Sequence, residues 1–206
     1  MDGTGQWVAL RVTRLAAPLV CARPRSSAVD PTLRAALLID LALAGALTDG
    51  LEIDTTPTGF TPADQLLTAV ADEPDKPLAW WLHHAPVTAR TFADALVQEG
   101  VWDADGRGPL RRYRDALPQQ RSAELSRLGT ALRRPPLEAG AAATALLLDQ
   151  LRVPDLPHGF RGRGQAEHCG AASWLAPDLV DHLERWQEIL EGSNRAAREA
   201  YLLNFL

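Results

Sequence analysis

Apolar positions along this chain recur mainly at helical spacing. In "DPTLRAALLIDLALAG", Asp30 to Gly45, the residues Leu33, Leu37 and Leu41 fall on one stripe at i, i+4 intervals, widened by Leu38 and Ala44. Asp30 supplies an N-cap carboxylate, Pro31 a preset φ at the first helical position, and Gly45 a residue suited to the left-handed closing turn. Arg34 interrupts this apolar segment one turn after its start. An arginine there reads either as a side chain snorkelling beside a buried face or as a cation placed for a task.

Further helices follow the same period. "PADQLLTAVADE" carries a stripe of Leu66, Leu67 and Val70, and "KPLAWWLHHAP" opens a helical region that breaks at Pro86. "VTARTFADALVQEG" buries Phe92, Leu96 and Val97 and ends at Gly100. "QQRSAELSRLGTALRR" is amphipathic and basic, "PLEAGAAATALLLDQL" has the small and aliphatic residues of a central helix, and the tail from Pro177 predicts one or two more. Strand signals are few. "QWVALRV" alternates weakly, as a short strand or as packing for a later helix. "ALTDGLEIDTTPTG" predicts a small hairpin around Asp49-Gly50, and "VWDADGRGPLRRYR" another around Asp105-Gly106. The pattern predicts a mainly α fold over residues 1–206: a single compact helical bundle with short β-hairpins and no internal repeat.

Composition narrows the class without naming a chemistry. A hydrophobic share of 46% and a charged share of 23% are those of a soluble globular chain, and no apolar run reaches transmembrane length. The N-terminus lacks a secretory layout, so a cytoplasmic location is expected. Two cysteines make no disulfide framework, and the Ala-, Pro- and Arg-rich usage with a single lysine points to a GC-rich, bacterial coding sequence. The net charge of −5 argues against a general polyanion binder, but the charge is unevenly placed. From Arg107 to Arg134 there are eight arginines against Asp115 and Glu124, whereas Asp40 to Asp75 holds eight acids and no basic residue.

No enzyme signature survives inspection. His83 and His84 are adjacent and diverge by about 100° on a helix, which suits no shared metal. His158, His168, Cys169 and His182 lack zinc-ligand spacing. "GFRGRG" lacks the phosphate-loop Lys-Ser/Thr, and a Cys169–His168 nucleophile stands as a third reading. No helix combines a basic face with base-reading side chains, so no nucleic acid is expected. A basic patch on an acidic protein does suit an anionic membrane surface, and Arg107, Arg111, Arg112 and Arg114 cluster on the second hairpin.

The order "LLIDLALAG", then "PTG" before an acidic helix, then "LVQEGV" before a hairpin resembles the Golgi phosphoprotein 3 family, actinobacterial-type members included. The resemblance runs from about Asp30 to Leu151; the N-terminal segment and the tail after Pro154 depart from it. It implies a compact helical fold with a protruding hairpin used for self-association. It also implies a non-enzymatic peripheral adaptor that binds phosphatidylinositol 4-phosphate and the cytoplasmic tails of glycosyltransferases. That family's headgroup pocket uses a tryptophan, an arginine opening the apolar helix, and two arginines on the helix ending at the equivalent of Gly100. Arg34 matches the helix-opening arginine. The tryptophan position falls near Arg25, and the other two fall near Pro86 and Ala89, with Arg90 next to them.

The expectation is therefore a cytoplasmic, peripheral protein at the inner face of the membrane that binds an anionic lipid headgroup, a phosphoinositide among them, with no cofactor and no metal. Arg34, Arg90 and Arg25 are the headgroup candidates, and Arg107, Arg111, Arg112, Arg114 and Trp102 form the membrane or partner hairpin. The rival expectation keeps the fold without lipid binding: a scaffold for a protein client, or a homo-oligomer, that self-associates through its hairpin and the Trp102 region.

Overall fold

The computed structural model describes residues 7–22, 28–49, 52–108, 111–133, 137–153, 156, 163–192 and 195–203. Two helices without a polar face form its centre. Helix α3 (Val29–Leu43) is buried at every position from Pro31 to Ala42, and α8 (Ala139–Gln150) is buried from Ala141 to Leu148. A helix apolar all round must be covered on all sides. Here α1 (Val8–Leu15), α5 (Trp81–His84) and α9 (Ala176–Glu191) pack on α3 beside α8. Helices α2 (Ala17–Ala22), α4 (Thr61–Asp72), α6 (Ala89–Gln98), α7 (Pro118–Ala131) and α10 (Arg195–Leu203) complete the shell, with 3₁₀ turns at Leu78–Trp80, Arg163–His168 and Gly170–Ala172. One cluster of buried apolar side chains runs from Val8 to Leu183. The fold is mainly α.

Strands β1 (Trp102–Asp105) and β2 (Arg112–Asp115) form an antiparallel hairpin in the register Trp102↔Asp115 to Asp105↔Arg112. It follows α6 directly, and the predicted hairpin is there, although Asp105 itself pairs with Arg112 and the turn opens after it.

The closing signal of α3 is borne out. Gly45 takes φ +75°, Ala46 N–H donates to Leu41 O at 2.9 Å and Gly45 N–H to Ala42 O at 3.1 Å, which together satisfy the last carbonyls of the helix. Its opening signal is not. The helix starts at Val29, so Asp30 lies in the first turn, and its carboxylate accepts the N–H of Ala89, the first residue of α6, at 2.7 Å. The residue reads as a cap and is one, but for another helix.

Two strand expectations give way. In "QWVALRV", Gln6 lies outside the described residues and the segment from Val8 is helical: Val8, Ala9, Leu10, Val12 and Leu15 are buried while Arg11 and Arg14 pair with Glu124. The Asp49-Gly50 hairpin reduces to one bridge between Leu47 and Ile53, with Gly50 and Leu51 outside the described residues.

Candidate functional site

Arg34 faces the turn between α5 and α6. Its Nε donates to Val87 O at 2.7 Å and one Nη donates to Leu82 O at 3.0 Å. The residue is 8% exposed, and burial lowers its pKa from the ordinary arginine value against the opposing pull of Asp30. An arginine keeps its charge even so. The second Nη makes no hydrogen bond or ion pair among the described residues. The guanidinium is thus a cation fixed by two backbone carbonyls, with part of its donor fork uncommitted.

Arg90, one residue into α6, donates to Gly108 O at the hairpin tip. No hydrogen bond or ion pair joins Arg34 to Arg90. Arg25 lies outside the described residues.

The hairpin arginines divide into two groups. Arg111 pairs with Asp94 of α6 at 2.8 Å, where Tyr113 Oη also donates at 2.8 Å, and Arg114 pairs with Asp103 across the ladder at 3.2 Å. Burial, with the neighbouring Asp94, pushes the Tyr113 hydroxyl up to about 12, so it serves as a neutral donor. Arg107 and Arg112 are exposed and make no ion pair among the described residues. Trp102 is 1% exposed and packs 6.4 Å from the Tyr113 ring. It anchors the hairpin to the core and offers no surface for a membrane.

Other chemistry is placed where it cannot act easily. Cys169 is buried with its thiol on Gln165 O at 3.4 Å, and burial pushes it up to about 11, as it does Cys21. Neither forms appreciable thiolate at neutral pH. Among the described residues no group of His, Cys, Asp and Glu is arranged to hold a metal. A cleft of about 430 Å³ between α8 and α9 is lined by Asp149, Glu184, Glu188 and Glu191, with Arg152 paired to Glu191 at 2.6 Å.

Two groups have a place in the fold that the sequence does not show. Asp40, inside α3, accepts Val8 N–H at 2.7 Å and Ala9 N–H at 2.8 Å. His83 is enclosed by Trp186 and Tyr201 at ring-centroid distances of 4.6 and 5.7 Å. An acid in an apolar stripe was the available signal for Asp40; for His83 there was only its place among tryptophans.

A family model described as Golgi phosphoprotein 3 (GPP34) matches residues 20–200, beyond the Asp30 to Leu151 span of the motif resemblance at both ends. No curated protein and no solved structure matches the chain.

Proposed function

The chain belongs to the Golgi phosphoprotein 3 family, and on that basis we propose that it is a non-enzymatic peripheral adaptor whose basic end takes an anionic, phosphate-bearing lipid headgroup. One observation carries this reading. Arg34 is held by the carbonyls of Leu82 and Val87, and its remaining Nη is uncommitted. A guanidinium fixed in this way loses little entropy on meeting a phosphate and presents planar donors to it. Arg90, Arg107 and Arg112 add positive charge at the α6–hairpin end, each contributing roughly 1 kcal/mol near an anionic surface. Arg25 is the further headgroup candidate.

No described helix is long and apolar enough to cross a membrane; in this reading the contact is made by the free edge of the Arg34 guanidinium together with the surface arginines. Phosphatidylinositol 4-phosphate is the specific headgroup proposed, with phosphatidylglycerol as the less selective one.

A second reading rests on the hairpin. Its two strands pair only with each other among the described residues, β1 lying against α6 and β2 against α2, and the tip residues Asp105 to Gly108 are exposed to a second copy or a client. That reading makes the protein a scaffold that self-associates.

Flotation with neutral, phosphatidylglycerol-containing and phosphatidylinositol 4-phosphate-containing vesicles separates these outcomes. Phosphoinositide-selective binding lost in Arg34→Ala and kept in Arg107→Ala/Arg112→Ala supports the pocket. Binding to all anionic vesicles that salt abolishes assigns it to the hairpin. Absence of binding to every vesicle, with a mass above the monomer in light scattering, replaces the lipid reading with the scaffold.

A further inference from the structure

Asp30 and Arg34 stand one turn apart on the same face of α3, and both grip the connection between α5 and α6. Arg34 takes carbonyls on the α5 side, Leu82 O at 3.0 Å and Val87 O at 2.7 Å. Asp30 takes an amide on the α6 side, accepting the Ala89 N–H at 2.7 Å. The other bonds of that turn are local: Thr91 N–H donates to Thr88 O at 2.8 Å, and Thr88 N–H to Thr91 Oγ1 at 3.2 Å. The Arg90 N–H, second in the helix, donates to nothing among the described residues.

The first turn of α6 thus offers an anion the positive end of a helix and an unused amide. A buried cation stands beside it. Arg34 is 8% exposed, its Nε bonds the carbonyl two residues before Ala89, and its second Nη is uncommitted. Water reaches the place, since Asp30, Thr88 and Arg90 are half-buried and Pro86 is exposed. One anion is already there. The Asp30 carboxylate holds the first amide of α6, and its charge acts on Arg34 against the effect of burial.

We propose that Asp30 is a resident anion in the headgroup site, its carboxylate occupying the α6 N-terminus beside Arg34 and holding down the affinity for phosphate. This rests on the reading that Arg34 meets a phosphate. An arriving phosphate shares the guanidinium and the helix end with a fixed negative charge, and the repulsion grows with the charge of the ligand. A dianionic phosphomonoester is therefore held back more than a monoanionic phosphodiester. A residue that only capped α6 would act the opposite way, and its replacement would weaken binding.

Asp30→Asn separates the two roles, because its amide oxygen still accepts the Ala89 N–H while the charge is gone. The full chain and this variant are titrated with phosphatidylinositol 4-phosphate vesicles and with phosphatidylglycerol vesicles at one salt concentration. Asp30→Asn binds the phosphatidylinositol 4-phosphate vesicles on the order of tenfold more tightly and the phosphatidylglycerol vesicles by a smaller factor. Asp30→Ser, which also offers an oxygen to that amide, shifts both in the same direction. Glu52→Gln removes the same unit of charge at an exposed acid before α4 and leaves both titrations near the parent's. An equal gain in Glu52→Gln overturns the proposal, since net charge alone then explains it. Binding by the parent that is unchanged or weaker in both Asp30 variants overturns it too and leaves the headgroup reading standing. No binding by the parent or by either Asp30 variant removes the headgroup reading and this inference with it.

Discussion

Asp40 caps α1 from the middle of α3, its Oδ1 accepting the Val8 N–H at 2.7 Å and its Oδ2 the Ala9 N–H at 2.8 Å. The acceptor is 5% exposed, so water cannot replace it. Asp40→Ala leaves both amides without a partner, and each such loss costs about 1–3 kcal/mol. Urea unfolding of Asp40→Ala is expected to show a stability lower by about 3 kcal/mol, and Asp40→Asn, which keeps one acceptor, lower by about half as much. Unchanged midpoints in both variants would falsify the capping role.

Asp40 also gives the fold a pH dependence that His83 opposes. Burial raises Asp40 from 3.8 to about 7, against the two amide bonds that lower it. The folded state therefore holds its proton longer: this contribution is complete below about 3.8 and is lost as pH rises to about 7. His83 runs the other way, lowered from 6.5 to about 4, so its contribution is complete above 6.5 and is lost as pH falls to about 4. In the shared window the two slopes, each about 1.4 kcal/mol per pH unit at most, cancel. Relative to the parent, Asp40→Asn should gain stability as pH rises through the window, and His83→Phe should lose it. Denaturant midpoints at half-unit steps of pH check both; variant profiles running parallel to the parent exclude the assignment.

Arg34 is a structural tie whatever it binds. Its two bonds to buried carbonyls are charge-assisted, and losing them is expected to cost about 3 kcal/mol in Arg34→Ala. Arg34→Lys keeps the charge without the planar fork and should recover only part of that. The decisive comparison is between midpoint and flotation. A Lys variant that regains stability and not vesicle binding separates the tie from the headgroup contact, whereas equal recovery of both makes them one function.

Gly170 is a steric prediction. It has φ +57°, and a Cβ there would stand 2.9 Å from the Ala139 Cβ at the start of α8. Gly170→Ala meets both backbone strain and overlap, for an expected loss of about 2 kcal/mol. Ala139→Gly added to it should relieve the overlap and leave the strain, recovering part of the thermal midpoint. Full recovery would place the whole cost in the contact.

These residues show which parts of the structure were legible in the sequence. The stripe of Leu33, Leu37 and Leu41 and the closing Gly45 are local signals, and the helix they mark is there. So is the hairpin after Gly100, because its turn residues are contiguous. Polar side chains that act across the fold were not legible. Asp30 bonds Ala89, Asp40 bonds Val8, and Arg34 bonds Leu82 and Val87, partners 59, 32, 48 and 53 residues away. No periodicity encodes such a partner, since it exists only once the helices are packed. Arg34 was singled out by its apolar surroundings, and the carbonyls that orient it came only with the fold. Trp102 misled for a related reason: a tryptophan beside a charged hairpin reads as exposed, and only its packing on Tyr113 under α6 shows it buried.

The start of α1 has Trp7 at its N-cap position and no side-chain cap of its own. What holds its first turn arrives 32 residues later in the chain, as Asp40. During synthesis α1 accordingly has no stable beginning until α3 has formed and folded back on it. Of the described helices α1 is synthesised first, and it is thereby among the later ones to be completed.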